Sequence, residues 1–276
     1  SIDIYDGVIK KESHITTPES VELQEHLRHA VESGITFAEM EVSSQALKYN
    51  RVDNMQFDVG IFLNISEDHI SPIEHKDFED YKRCKGLLFK QCRLGIANVD
   101  DKYFEDVFSG ATCKVETFGF SEKADLRAEN VQLVSRPGYL GVAYHVAGVM
   151  DFDVEIDIPG TFSVYNSLTA ISVCRHFEVP AELIKDALKK AKVKGRIEMV
   201  KVSDDFTLMI DYAHNAMSLE SLLTTLKEYH PKRLVCLFGC GGNRSRDRRF
   251  EMGEVSGRLA DLTIITSDNP RFEKPQ

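Results

Sequence analysis

The chain has 276 residues, 42% hydrophobic and 28% charged, with a formal net charge of −10. That length suits about two domains of ~100–200 residues each, and the acidic balance argues against a nucleic-acid partner, which needs a basic face. No apolar run approaches the ~18–20 residues of a membrane span, and no signal peptide opens the chain.

The six cysteines (Cys84, Cys92, Cys113, Cys174, Cys236 and Cys240) form no CxxC pair with a matching partner. A zinc site is therefore not expected, and reduced thiols in a cytosolic protein are. The chain starts without Met and stops at "DNPRFEKPQ", directly after an apolar strand pattern, so a fragment of a longer protein is expected.

Taken in order, "VELQEHLRHAVES" (21–33) carries Leu23, Leu27 and Ala30 at helical spacing, with Gly34 as a stop. "ITFAEMEVSS" (35–44) reads as a strand with a polar exit. "FDVGIFLNIS" (57–66) and "LGIANVD" (94–100) are near-continuous apolar runs, the pattern of parallel strands covered on both faces, with the helix "FEDYKRCKGLLFKQC" between them. From Lys114 to Ile158 the short β-rich runs "KVETFGF", "LRAENVQLVS", "GVAYHVAG" and "DFDVEIDI" read as a small antiparallel appendage.

Two helices follow, "SVYNSLTAISVCRHF" and "PAELIKDALKKA", the second with Pro180 at its start. "KVKGR" (192–196) reads as a linker. Beyond it, "FTLMIDYAH", "SLESLLTTLKEYH", "RLVCLFGCGG", "RRFEMGEVSGRLA" and "LTIITSD" give strand, helix, strand, helix, strand, half of a doubly wound fold. The expected class is α/β: a first domain with a mostly parallel sheet and a small antiparallel appendage over 1–194, then a partial Rossmann-like domain over 195–276.

In such sheets ligands bind beyond the carboxyl ends of strands, so polar residues there are the candidates. Glu41 sits in "MEVSS" among apolar residues, where a carboxylate is costly unless paired or bound to a metal. Asp68 and His69 follow the next strand; together with Glu41 they suggest a metal site, and acidic oxygen ligands favour Mg²⁺. "IDYAHN" ends a strand with Asp211, Tyr212 and His214, and "TSDNPR" ends the last with Asp268, Asn269 and Arg271. The Arg271 guanidinium suits a carboxylate, whereas Asp268 and Asn269 before Pro270 equally suit a plain turn. "LFGCGGNRSRD" (237–247) has the look of a phosphate loop but not its Gly-Lys-Ser/Thr ending, and no Gly-Lys pair occurs in the chain.

The strings "MEVSSQALKYNRVDNMQFDVGIFLNISEDH", "GRIEM", "IDYAHN", "FGCGGNRSRDRR" and "DNPR", in that order, resemble the Mur ligases over nearly the whole chain. These enzymes use ATP to phosphorylate a carboxylate, and an amino acid's amine then displaces the phosphate. The resemblance implies ATP and Mg²⁺ as cofactors, and UDP-MurNAc-dipeptide and a diamino acid as small-molecule substrates. It implies neither nucleic-acid binding nor membrane insertion.

The resemblance also implies roles for residues. The family's phosphate loop lies shortly before "TTPES" and is expected upstream of Ser1, so the fragment alone is expected to be inactive. Thr16, Thr17, Ser43 and Arg51 correspond to contacts of the UDP-muramoyl substrate, although the threonines also suit a helix cap. Glu41 and His69 correspond to Mg²⁺ ligands. Lys85 corresponds to a lysine that CO₂ converts to a carbamate, whose anionic oxygens replace a repelling ammonium; Lys82 and Lys90 lie nearby on the same helix pattern.

Asn166, Arg196, Asp211 and His214 correspond to the ATP surroundings, with Arg196 opposite the transferring phosphoryl group. Arg244, Asn269 and Arg271 correspond to the amino-acid site, where "DNPR" points to meso-diaminopimelate. Departures from the pattern are Gln45 for His, Tyr49 for Gln, Asn215-Ala216-Met217 for Thr-Pro-Asp, and a longer interval from His69 to Lys85. A folylpolyglutamate- or cyanophycin-type ligase and a non-catalytic nucleotide-sugar binder are the alternative readings.

Overall fold

The computed structural model describes residues 3–274 apart from 68, 73, 137, 194, 201, 204, 244 and 245. The chain divides into two compact units, Ser1–Asp125 and Leu126–Gln276.

The first unit opens with a hairpin, β1 (Asp3–Tyr5) and β2 (Lys10–Glu12), which three-residue strands leave no periodicity to reveal. Its turn is built by Asp6, whose carboxylate accepts from the Val8 and Ile9 amides (2.9 and 2.6 Å), with Gly7 at φ 89°. Helix α1 (Ser20–Glu32) falls where Leu23, Leu27 and Ala30 placed it.

Residues 35–44, read as a strand, form none among the described residues: 35–43 carry no regular structure and Ser44 opens a helix. A strand exists only through ladder partners, and an apolar run by itself does not supply them. Glu41 is accordingly exposed rather than embedded in a sheet, which removes the burial argument made for it above.

A short helix α2 (Ser44–Lys48) follows, capped by the Ser43 hydroxyl, which accepts from the Ala46 amide at 3.1 Å. Next come β3 (Phe57–Phe62), α3 (Phe78–Gly86) capped by Asp77, a 3-10 turn (Leu87–Lys90), β4 (Cys92–Asn98), α4 (Phe104–Phe108) and β5 (Lys114–Gly119). Strands β3, β4 and β5 are parallel, with Val59 opposite Leu94 and Ile96 opposite Glu116. β5 thus belongs to the parallel part, not to the antiparallel appendage. Phe62, Ile65, Tyr81, Phe89, Cys92 and Val107 form the core beneath these elements.

In the second unit β6 (Leu126–Arg136), β7 (Tyr139–Gly148) and β8 (Phe152–Ile156) make the expected antiparallel meander. Helices α5 (Thr161–His176) and α6 (Ala181–Lys190) follow, Pro180 standing at the start of the latter. β9 (Glu198–Val200) pairs antiparallel with β10 (Leu208–Ile210). Then come α7 (Ala216–Lys227), β11 (Val235–Phe238), α8 (Asp247–Leu259) and β12 (Leu262–Ile265), with β11 and β12 parallel.

The βαβ half of the predicted pattern is present. Its first strand forms as β10, but it pairs with β9 instead of joining β11 among the described residues. Leu219, Leu223, Cys236, Met252 and Val255 pack α7 and α8 onto β11. The mixed α/β class is as expected, and no helix among the described residues is long and apolar enough to cross a membrane.

Candidate active site

In the first unit Tyr81 gathers two of the three proposed metal ligands. Its buried ring lies on α3, with the Lys85 Nζ 5.7 Å from its centroid, one helical turn on, and the His69 ring 5.4 Å away. Burial pushes the Lys85 amine below the ordinary lysine range, and the charge of Glu41, the third residue, partly opposes that shift. The neighbours that sequence could not exclude behave oppositely. Lys82 is held by Asp106 and by Glu79 (2.9 Å), which raise its pKa, and Lys90 is exposed. Only a neutral amine attacks CO₂, so Lys85 is the lysine suited to carbamate formation.

His69 adopts φ 58° and its Nδ1 contacts the Glu74 carboxylate at 3.0 Å, so a metal would be bound through Nε2. An imidazole oriented by a carboxylate on its other nitrogen is the usual arrangement of a metal ligand. With Lys85 as an ammonium this set would repel a dication; with Lys85 as a carbamate it fits Mg²⁺. Asp68 lies outside the described residues.

Behind this corner is a buried network that the sequence reading missed. The His69 carbonyl accepts from the His75 amide at 3.1 Å, and the His75 ring contacts Asp80 through Nδ1 (3.1 Å) and the Ser44 hydroxyl through Nε2 (2.8 Å). Asp80 also accepts from Lys48 (2.9 Å) and Arg83 (2.7 Å), which with His75 hold its carboxyl far below the usual range. Its partners come from residues 48, 75 and 83, so only their shared polarity hinted at the network.

Of the expected substrate contacts, Thr17, Ser43 and Arg51 come together. The Thr17 hydroxyl donates to the Glu41 carbonyl (2.8 Å) and accepts from the Ser43 amide (2.9 Å), while Arg51 donates to the Thr17 carbonyl (3.3 Å). The buried Thr17 thus fixes the segment that bears Glu41. Thr16 is half-buried beside it.

In the second unit the Asp211 carboxylate accepts from the Ile197 and Ala213 amides (3.0 and 2.8 Å), tying Arg196 to the end of β10. The Arg196 guanidinium stacks 4.6 Å from the Tyr212 ring centroid, and the His214 ring meets that ring edge-on at 5.1 Å. Asn166 is exposed on α5 and is not joined to this group among the described contacts.

A cleft of about 530 Å³ lies at the ends of β10, β11 and β12, lined among others by Asp211, His214, Arg248, Asp268, Asn269 and Arg271. Its two loops are zipped together: the Gly242 amide donates to the Asn269 carbonyl (2.8 Å), the Asn243 amide to Glu273 (2.8 Å), and the Phe272 amide to the Asn243 side chain (3.0 Å). Glycine is required at 242, where a Cβ would overlap the Pro270 carbonyl, and at 239, where it would lie 2.6 Å from the Thr266 oxygen. The Asn269 side-chain oxygen accepts from the Arg271 amide at 3.1 Å, the turn expected of Asn-Pro. Arg244 lies outside the described residues; Arg248, on α8, was not anticipated.

Residues 2–174 match the Mur ligase middle domain, and residues 195–276 match the family described as "Mur ligase, glutamate ligase domain". The chain belongs to the Mur ligase family. Among relatives of this Mur ligase chain, the UDP-N-acetylmuramoyl-L-alanyl-D-glutamate--2,6-diaminopimelate ligase 1 of Clostridium acetobutylicum is 42% identical over 275 residues, covering 99% of this chain and 56% of the relative. The Clostridium botulinum enzyme of the same description is 39% identical, with 99% and 56% covered. A solved UDP-N-acetylmuramoyl-L-alanyl-D-glutamate--2,6-diaminopimelate ligase superposes with TM-score 0.74 at 26% identity, over 99% of this chain and 57% of that one. The chain therefore spans about half the length of the curated relatives it matches.

Proposed function

We propose that this chain supplies the catalytic-metal and amino-acid-binding parts of an ATP-dependent ligase that adds meso-diaminopimelate to UDP-MurNAc-L-Ala-D-Glu, the UDP-N-acetylmuramoyl-tripeptide synthetase type of Mur ligase. The functional division falls at 194/195. The observation that carries the reading is that Glu41, His69 and Lys85, spread over 44 positions, are electrostatically or spatially linked around Tyr81 in a chain whose relatives bear that name.

The residues divide the work. Mg²⁺, when bound, neutralises phosphoryl charge. Glu41 and His69 hold it, with Lys85 as the carbamate, and Thr17 keeps the Glu41 segment in place through its bonds to the Glu41 carbonyl and the Ser43 amide. Thr16, Ser43 and Arg51 face the UDP-muramoyl substrate. Arg196, stacked on Tyr212, presents a fixed cation to the transferring phosphoryl group, where preorganised charge lowers the barrier without reorganisation. Asp211, His214 and Asn166 surround ATP.

Asn269 and Arg271, which line the cleft, receive the amino acid, as Arg244 does by its correspondence to the family, the Arg271 fork pairing the distal carboxylate of meso-diaminopimelate. The substrates are small molecules, and the protein works in the cytoplasm. The test is amino-acid-dependent phosphate release by the full-length protein containing these residues. Turnover is expected with meso-diaminopimelate and not with L-lysine; preference for L-lysine would overturn the assignment to Arg271.

A further inference from the structure

The loop that carries His69 is closed on itself by His75. The His75 amide donates to the His69 carbonyl (3.1 Å), and the His75 carbonyl accepts from the Ser71 amide (3.1 Å). Inside the loop the Glu74 amide donates to the Ser71 carbonyl (3.1 Å). The Glu74 carboxylate meets His69 Nδ1 with one oxygen (3.0 Å) and the Ser71 hydroxyl with the other (3.2 Å). These bonds give the loop its shape, but they do not fix its place against the neighbouring helices.

That place is set from outside. The His75 ring is fully buried between α2 and α3, its Nδ1 against Asp80 (3.1 Å) and its Nε2 against the Ser44 hydroxyl (2.8 Å). Lys48, one turn beyond Ser44 on α2, donates both to Asp80 (2.9 Å) and to the Glu74 carbonyl (2.6 Å).

One arrangement of protons satisfies every member. Asp80 accepts from Lys48 and Arg83 and is ionised, so the His75 ring is the donor at Nδ1. A neutral ring then accepts at Nε2, and the Ser44 hydroxyl donates to it. Buried polar groups matched in this way hold a single geometry.

Lys48 and Asp80 could pair without touching the loop. Instead the second bond of Lys48 goes to the main chain of Glu74, whose carboxylate orients His69, and the main chain of His75 holds His69 itself. His69 stands at φ 58°, a left-handed conformation that a non-glycine residue keeps where its surroundings impose it.

We propose that Lys48, Asp80 and His75 are positioning residues for His69: they clamp loop 69–75 between α2 and α3 so that Glu74 orients the His69 ring through Nδ1. This rests on the reading of His69 as a Mg²⁺ ligand and adds what places that ligand. The three act through His69 and are not themselves catalytic. Lys82 supplies the comparison, since it lies on α3 and is more deeply buried than Lys48, but its ion pairs are with Glu79 and Asp106, outside the loop.

The test uses the full-length protein. Lys48→Met should raise the Mg²⁺ concentration for half-maximal ligation by ~10–100-fold, the usual cost of losing an outer support of a metal ligand, and leave the KM for the amino acid unchanged. Lys48→Arg should restore most of the loss. Lys82→Met should lower the urea midpoint with the wild-type Mg²⁺ requirement.

A second readout needs no turnover. In metal-free protein at about pH 8, where ordinary imidazoles are neutral, long-range proton–nitrogen spectra should show the His69 proton on Nδ1 alone. The His69 signals are identified by their loss in His69→Gln, and in Lys48→Met the ring should average between tautomers. An unchanged Mg²⁺ requirement or an unchanged His69 tautomer in Lys48→Met overturns the proposal, as does an equal Mg²⁺ shift in Lys82→Met. If His69→Gln also leaves the Mg²⁺ requirement unchanged, the ligand reading falls with it; if only Lys48→Met does, the ligand stands and the clamp falls. Should Lys48→Met fail to fold, Ser44→Ala, which strips His75 Nε2 of its donor, must produce the same two changes, and their absence overturns the clamp.

Discussion

The Lys85 corner of the first unit and the cleft of the second are built on opposite principles. Around Lys85, orientation comes from buried side chains: Tyr81 beneath, His75 and Asp80 behind, Lys48 and Arg83 closing the network. In the cleft it comes largely from main-chain groups zipping two glycine-bearing loops together, with the Arg271 side chain exposed. The contrast suits the proposed roles: a metal held between charged groups needs its ligands fixed from outside, and an amino-acid site needs its walls fixed and its charged side chains reachable.

That contrast can be broken by mutation. The largest effect is expected at Lys85: Lys85→Ala in the full-length enzyme should lower ligation on the order of 10³-fold, or about 4 kcal/mol in barrier, with an unchanged melt. Added short carboxylic acids should restore part of the rate, and full activity in the variant would remove the carbamate from the account.

Asp80→Ala should destabilise the chain by about 3 kcal/mol, the scale of breaking a buried pair while its partners remain, read as a drop in the urea midpoint. The same carboxylate predicts the pH response. Its folded pKa is depressed, so its contribution is complete above the unfolded value near ~4 and is lost as pH falls below it. The wild-type midpoint should fall between pH 5 and pH 3 more steeply than that of Asp80→Ala; parallel curves would deny Asp80 this role.

In the cleft, Gly242→Ala should cost about 1–3 kcal/mol by forcing a side chain against the Pro270 carbonyl. It should raise the KM for the amino acid more than it changes that for UDP-MurNAc-dipeptide, and equal changes would break the division drawn here. The smallest effect is expected at Tyr229, whose hydroxyl accepts from the Gly160 amide (3.2 Å) and donates to the Gly141 carbonyl (2.8 Å). Tyr229→Phe should cost about 1–2 kcal/mol in thermal or urea unfolding, with the reacting residues untouched.

Legibility from sequence followed the range of the interactions. Helix α1 and strands β3 and β4 were readable because their apolar spacing is a local property. Residues 35–44 were misread because a strand depends on a neighbour, and β5 was placed in the wrong part because six residues do not encode whether they run parallel or antiparallel. Lys85 was preferred to Lys82 and Lys90 on resemblance alone, because the physical difference among them is not local. It turns on Asp106, which reaches Lys82 from α4, 24 residues further on. The cleft was half legible: glycines and "DNPR" marked the loops, while their zipping by Asn243 and Glu273 did not show.

The Tyr229 hydroxyl has a mechanical consequence. Helix α7 has 12 residues, about 18 Å at ~1.5 Å each. Asn215 caps one end, next to His214, and Tyr229 follows the other. The helix is therefore a strut, latched at its far end to two main-chain groups of Gly141 and Gly160. Any tilt of α7 that swings His214 must either carry those two points along or release the latch.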